Sequence, residues 1–271
     1  MSVLDRLSFN QATADPWSLE RAVRECSENG IGYIGVWRHK LGGDAAAASA
    51  MIRGAGLRVS SLCRGGWFSA PTLEERRERV ADNRAAIEEA AILGAPVLAI
   101  VSGPANGQTL EDARATVLQG LREVLPDAEK AGVVLGIEPL HPMYAAERSV
   151  VVTLKQANDF AAQLASPAAG VIVDAFHVWW DPDVMREVER ARGNIAGFHV
   201  SDWPVPLPGI LMGRAMMGDG VINLRQLRQA VDAAGYDGPI EVEIFNQEIW
   251  DSADEQLMGR IKRCFAEYVC A

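Results

Sequence analysis

The 271-residue sequence predicts an α/β fold, a (β/α)8 TIM barrel occupying residues 1–271 as one domain. Three observations carry this reading. Short β-rich apolar runs alternate with longer segments of helical period from one end to the other, with no low-complexity linker between them. The runs number eight. The polar residues able to do chemistry gather where the later runs end, which is where a barrel of this kind places its reactive groups.

In chain order the strand runs lie near 6–9 (Arg-Leu-Ser-Phe), 32–37 (Gly-Tyr-Ile-Gly-Val-Trp), 57–62 (Leu-Arg-Val-Ser-Ser-Leu) and 96–101 (Pro-Val-Leu-Ala-Ile-Val). Four more follow near 133–138 (Val-Val-Leu-Gly-Ile-Glu), 170–174 (Gly-Val-Ile-Val-Asp), 195–200 (Ile-Ala-Gly-Phe-His-Val) and 239–244 (Pro-Ile-Glu-Val-Glu-Ile). Between them the apolar period changes to about 3.6, as in Val117, Leu121, Val124 and Ala128. Leu154, Ala157, Ala161 and Leu164 repeat it, and so do Leu224, Leu227, Val231 and Ala234, each stripe suited to covering the outside of a sheet. Gly30, Gly56, Gly94, Gly132 and Gly235 each precede a strand run, at the place where a helix commonly ends. An open doubly wound sheet is the alternative arrangement of eight such units. It calls for a Gly-rich phosphate loop after the first strand, where Phe9-Asn10-Gln11-Ala12 stands instead.

Apolar residues make up 49% of the chain and charged residues 23%, enough to build a sizeable core. The net charge of −10 provides no basic stripe, which argues against nucleic acid or an anionic membrane as partner. The first residues lack a basic segment followed by an apolar stretch, and no run of eighteen apolar residues occurs, so a cytoplasmic location is expected. Cys26, Cys63, Cys264 and Cys270 match no zinc or redox spacing and are expected reduced and mostly buried.

The fifth run ends at Glu138, the sixth at Asp174, the seventh at His199 and the eighth at Glu243. A carboxylate closing an apolar strand is costly to bury ionised without a partner, and a metal ion is an economical one. Two glutamates, an aspartate and a histidine form a mixed O and N set suited to one divalent ion, manganese, magnesium, cobalt or zinc. Taken singly, each has an ordinary structural reading: Glu138 as a helix cap, Asp174 as an N-cap, His199 as a satisfied core histidine. Together on successive strand ends they point to a metal site. Glu241 shares the face of Glu243 but lies deeper, and is expected to be held by an arginine or by backbone amides.

All four histidines, His39, His141, His177 and His199, follow or close strand runs, and none falls in an expected helix interior. His141, flanked by Pro139 and Pro142, is a candidate general base, and His177 a hydrogen-bond partner of substrate or ligand. His39 is a surface or a pocket residue. The loop 201–221 is long enough to be functional. It contains Arg214, which either binds a substrate oxygen or ties the loop down, and an apolar stretch 205–211 that is a lid or a subunit contact. Trp37, Trp67, Trp179, Trp180, Trp203 and Trp250 also cluster after strand ends, some as walls for a sugar ring or flat aglycone and some as packing.

At these positions the chain resembles the sugar isomerase/epimerase superfamily with xylose-isomerase-like barrels, over essentially its whole length. The motifs are Gly-Ile-Glu138-Pro-Leu, Val-Asp174-Ala-Phe-His177, Phe-His199-Val-Ser-Asp202, Arg214 through Gly218-Asp219-Gly220, and Glu241-Val-Glu243-Ile-Phe. The resemblance implies that Glu138, Asp174, His199 and Glu243 bind the metal, that Glu138 and Glu243 also move protons, and that His177 and Arg214 contact substrate. Glu138-Pro-Leu-His141-Pro-Met departs from the ketose 3-epimerases. With Asn10-Gln11-Ala12, Trp37-Arg38 and Cys63-Arg64-Gly65-Gly66 it is more similar to a bacterial subgroup that includes catalytic subunits of C-glycoside deglycosidases. That likeness implies action on 3-keto-glycosides, a metal, a histidine matching His141, and a smaller second subunit.

The expected function is therefore proton abstraction beside the carbonyl of a sugar or keto-glycoside, giving isomerisation, epimerisation or C-glycoside elimination. His141, Glu138 and Glu243 are the expected catalytic residues, and His177, Arg214, Trp37, Arg38 and Trp67 are expected to bind substrate. The partner is a small-molecule sugar or glycoside, with a homo-oligomer or small second subunit as further possibilities. Phosphodiester-cleaving DNA-repair barrels are related, but they call for more histidine ligands and a basic groove. A non-catalytic barrel serving as a subunit is the remaining alternative.

Overall fold

The structure, a computed structural model, describes residues 4–252 and 256–270; residues 1–3, where the N-terminal segment discussed above begins, lie outside it. Eight parallel strands close into a barrel in sequence order, the last pairing with the first. They are β1 (Leu7–Asn10), β2 (Tyr33–Trp37), β3 (Arg58–Gly66), β4 (Val97–Val101), β5 (Val134–Glu138), β6 (Ala169–Asp174), β7 (Ile195–Val200) and β8 (Ile240–Val242). The crossovers carry α1 (Leu19–Glu28), α2 (Ala45–Gly54), α3 (Leu73–Leu93), α4 (Leu110–Ala131) and α5 (Leu154–Leu164). After β6 come the single turn α6 (Ala175–Val178) and α7 (Val184–Arg190), after β7 α8 (Leu224–Ala233), and after β8 α9 (Gln247–Asp251) and α10 (Leu257–Cys264).

A strand's period of two divides each run between barrel interior and helix layer. Leu98, Ile100, Leu135, Ile137, Val171, Val173, Phe198 and Val200 face outward into one continuous core with the helix stripes. The intervening positions face inward, where Cys63, Val97, Ala99 and Ile172 form a small separate apolar layer. Continuing that alternation to the strand ends puts Glu138, Asp174, His199 and Glu243 inside the barrel at its C-terminal mouth. All three helical stripes are buried as expected, and the left-handed caps Gly94 and Gly132 end α3 and α4.

Observed and expected strands agree within two residues except at β3, which runs four residues further, through Cys63-Arg64-Gly65-Gly66. A polar residue of the helix layer explains the extension. Asn83 of α3, fully buried, accepts from the Gly66 N–H at 2.6 Å and donates to the Gly66 carbonyl at 2.8 Å, satisfying backbone that β4 alone does not pair. Gly66 is required there, because its φ is +102° and a Cβ would stand 1.9 Å from the Val101 carbonyl oxygen. Asn83→Ala leaves two buried backbone groups without partners, at about 1–3 kcal/mol each. We expect a loss of about 2–4 kcal/mol in urea unfolding with an unchanged denaturant slope; a loss within the scatter of surface substitutions would refute this account of β3.

Candidate active site and metal centre

Glu138 closes β5, Asp174 closes β6, His199 is the penultimate residue of β7, and Glu243 follows directly on β8. Each offers one ligand atom, and these atoms lie within 4.8 Å of one another. Ligands about 2.1 Å from a common divalent ion stand roughly 3 to 4.2 Å apart, so the set needs only slight contraction to share one ion. The His199 Nδ1 faces Glu138 Oε1 at 3.5 Å and Glu243 Oε2 at 3.8 Å. Glu138 Oε1 and both His199 ring nitrogens are buried with no hydrogen-bond partner, a state that a shared cation relieves at two of the three atoms. The residues therefore fit a divalent metal ion.

Arg214, from the loop after β7, is almost fully buried and reaches the same group. Its Nη1 donates to Asp174 Oδ2 at 2.9 Å, Glu243 Oε2 at 3.0 Å and the Glu243 carbonyl at 3.1 Å. The loop reaches it through Asp202, whose carboxylate accepts from the backbone N–H of Trp203, Gly218 and Ile222. Thus Arg214 ties the loop down by holding two ligand carboxylates. Its Nη2 stands 3.0 Å from His177 Nε2, and His177 Nδ1 accepts from the His141 N–H at 3.2 Å.

Burial and the neighbouring charges set the titration of the group. Burial pushes Glu138 up to about 7 against the pull of His199. Burial also presses upward on Glu243, but Arg214 and His199 outweigh it and hold this carboxyl below its ordinary value. For His199, burial favours the neutral ring, yet Glu241, Glu138 and Glu243 together raise it well above the usual histidine. His177 moves the other way, pulled down to about 3 by burial with Arg214 adding to it, and stays neutral at physiological pH.

Above these residues lies a cavity of about 230 Å³. It is lined by the buried Glu138, Glu243, His177 and Arg214, by Trp37, Trp67, Tyr144, Phe245 and Trp250, and, among others, by Arg64, Arg148 and Leu211. Trp37 and Trp67 thus stand where a substrate would meet them. Arg38 does not. Its guanidinium turns outward to α3, bidentate on Glu89 at 2.7 and 3.0 Å and on Asp82 at 3.1 and 3.3 Å. His141 is likewise absent from the cavity lining. Its ring packs against Trp180 and Trp203, its Nδ1 accepts from the Met143 N–H, and its backbone N–H donates to His177.

Two other expectations, for His177 and Glu241, are corrected in detail. His177 lies within a helix after all, the single turn α6 that Asp174 caps. Among the described residues Glu241 is held by neither an arginine nor backbone amides; it accepts from Asn10 Nδ2 at 2.7 Å, in space left by Gly35, and approaches His199 Nε2 at 3.8 Å. His39 is exposed beside Asp15. Trp179 and Trp203 pack on one another, and Trp203 stacks on Phe176. Sequence reasoning missed Tyr144, Phe245, Arg64 and Arg148 as cavity residues. For Arg64 the signal was the Cys-Arg-Gly-Gly segment, which lay beyond the expected end of its strand; Arg148 carried none.

Residues 23–265 match the family described as xylose isomerase-like TIM barrel. The chain belongs to that family. Among solved structures, protein SMc04130 from Sinorhizobium meliloti 1021 is 40% identical, with a TM-score of 0.96 over 99% of this chain and 100% of that one. The IolI protein with a bound zinc atom is 20% identical, with a TM-score of 0.85 over 97% and 98% of the two chains. Curated relatives include the L-ribulose-5-phosphate 3-epimerase UlaE of Salmonella typhi, 25% identical over 211 residues, 76% of this chain and 71% of that one. The xylose isomerase-like barrel is thus a member of the sugar isomerase/epimerase superfamily, as its motifs implied, with a buried acidic and histidine group able to hold a metal. Among the described residues no helix is long and apolar enough to cross a membrane.

Metal uptake and pH are linked through Glu138 and His199, which must give up protons to act as ligands. Glu138 is raised on folding, so its stabilising contribution to the metal-free protein is present below its ordinary value and lost as pH rises through about 7. The rise in Tm on adding Mn2+ or Zn2+ is therefore expected to be larger at pH 8 than at pH 5.5. A metal-induced shift of equal size at both pH values would contradict the assignment of these side chains as ligands.

Proposed function

We propose that this chain is a divalent-metal-dependent enzyme that removes the proton from the carbon beside a sugar carbonyl and returns it, giving isomerisation or epimerisation. One observation carries the reading: Glu138 and Glu243 line one cavity and belong to a buried group with Asp174 and His199 whose ligand atoms lie within 4.8 Å of one another, so two carboxyls and a candidate metal site meet at the place open to a substrate. Two carboxyls at one cavity allow one to take a proton from a bound substrate and the other to return one. The likeness to UlaE, a 3-epimerase by name, and the fold shared with D-psicose 3-epimerase from Clostridium cellulolyticum H10 (16% identity, TM-score 0.79 over 98% and 99% of the chains) support it.

Glu138, Asp174, His199 and Glu243 would hold the ion, manganese best suiting the mixed oxygen and nitrogen set. When bound, it supplies Lewis-acid stabilisation of the negative charge that develops on the carbonyl oxygen. Glu243, kept ionised by Arg214, takes the proton. Glu138 delivers one from its own strand end: return to the opposite face of the same carbon epimerises, and return to the neighbouring carbon isomerises. Arg214 Nη2 and the neutral His177 ring orient substrate hydroxyls, while Trp37, Trp67 and Trp250 cover the apolar face of the sugar and exclude water.

A second reading, elimination from a 3-keto-C-glycoside, draws support from the same aromatic walls, which suit a flat aglycone. Its base would be His141, and the packing of that ring between Trp180 and Trp203 favours the glutamate pair instead.

In heavy water with Mn2+, a ketose substrate is expected to gain deuterium beside its carbonyl, and a chelator to abolish the exchange. Glu138→Gln and Glu243→Gln should each lower the exchange rate by about 10²- to 10⁴-fold, whereas His141→Ala should retain most of it. Exchange that survives both glutamine variants, or that persists in metal-stripped protein, would sink the mechanism.

A further inference from the structure

Among the described residues, the buried and half-buried arginines are almost all satisfied. Arg6 and Arg228 bind Asp232, Arg38 binds Glu89, Arg214 binds Asp174 and Glu243, and Arg76 and Arg114 bind backbone carbonyls. Arg64 and Arg148 are the exceptions. Both are half-buried, both line the cavity above Glu138 and Glu243, and neither side chain has a hydrogen-bond acceptor or an acidic group at ion-pair distance among the described residues. Scarcity of acids does not explain this, because acidic residues outnumber basic ones by 36 to 26.

The two are held in place without being neutralised. The Arg64 guanidinium lies flat on the Trp67 ring, 3.9 Å from its centroid, and Trp67 itself lines the cavity. Arg148 sits on a turn whose backbone N–H donates to the Tyr144 carbonyl at 2.9 Å. Burial, and the like charge of Arg148 close by, make the protonated state of Arg64 less favourable than usual, a repulsion that a bound anion would remove. Charge balance points the same way. Glu138, Asp174, Glu241 and Glu243 carry four negative charges, of which Arg214 and a divalent ion would cancel three, so that Arg64 and Arg148 still leave the site positive by one.

We infer that Arg64 and Arg148 form an oxyanion subsite at the outer end of the cavity, so that the substrate is a sugar bearing a phosphate or carboxylate group rather than a neutral sugar. Paired guanidiniums suit either group, since both present planar or forked oxygens to N–H donors. A phosphate dianion matches both positive charges; a carboxylate matches one. The inference rests on the isomerase reading for the reacting end of the substrate, but its anion-binding part can be measured separately.

Binding is read first, with inorganic phosphate and with acetate as probes, in the Mn2+-loaded protein. Arg64 covers Trp67, so anion binding is expected to change tryptophan fluorescence saturably, and the change should vanish in Arg64→Gln/Arg148→Gln and be weakened in Trp67→Phe. Turnover is read second, by deuterium exchange into matched neutral ketoses, ketose phosphates and keto-uronates. The preferred anionic compound should exceed its neutral counterpart in kcat/KM by about a hundredfold, and each single glutamine variant should shrink that ratio by about tenfold, through KM. Lysine at either position should recover part of it, which a merely misfolded site would not. Preference for the phosphate identifies phosphate as the group, and preference for the uronate identifies carboxylate. Saturable anion binding without exchange into any compound would uphold the subsite and count against the isomerase reading. Exchange with equal efficiency into neutral and anionic sugars, or anion binding unchanged in the double variant, would overturn the subsite.

Discussion

Everything at the open end of this barrel depends on neutralising carboxylates that strand alternation forces inward. Glu138, Asp174 and Glu243 occupy inward positions at the ends of apolar strands, and all three are buried. Isolated buried charge of this kind is prohibitively unfavourable. Arg214 relieves part of it at Asp174 and Glu243, which leaves Glu138 and His199 facing one another. The ordering of the loop, the opposed proton affinities of the two glutamates and the capacity for a metal are three results of the same unbalanced charge.

A second line of support runs beneath the ligands. Glu241 lies one inward position below Glu243, near enough to His199 Nε2 to favour a proton there and so to turn the Nδ1 lone pair toward the other ligands. Asn10 holds Glu241 through its amide nitrogen and accepts from Trp37 Nε1 at 2.8 Å through its oxygen. One asparagine therefore ties the orientation of the histidine to the position of an aromatic wall. Gly35 makes the arrangement possible, because a Cβ at that place would stand 2.2 Å from the Glu241 carboxylate.

The barrel was legible in the sequence because both of its periods are strong: two in the strands, 3.6 in the helices. The four residues that gather at the mouth of the barrel were legible because a charged residue ending an apolar run is an anomaly that burial alone does not tolerate. What was not legible depended on side chains reaching across layers. The extension of β3 needs Asn83 from α3, seventeen residues from Gly66, and Arg38 turns outward because Glu89 and Asp82 on α3 compete for it. His141 has the spacing of a base, but two tryptophans from later loops receive its ring. Arg148 sits in a connection with no periodicity to read, so only the fold brings it to the cavity.

The long loop after β7 is fastened at both ends, and the Tyr144 hydroxyl, which donates to the Ile210 carbonyl, holds its middle. Asp202 grips Trp203 on one side and Gly218 and Ile222 on the other, while the Asp202–Ala215 bridge and the Asn246 amide, which donates to the Arg214 carbonyl, fix the returning strand. The stretch 205–211 between these anchors exposes Val205 and Ile210 and sends Leu211 into the cavity. Its length and composition can therefore drift without disturbing the guanidinium on which the charge balance rests. A barrel built this way can change the roof over its cavity while the charged group beneath stays in place.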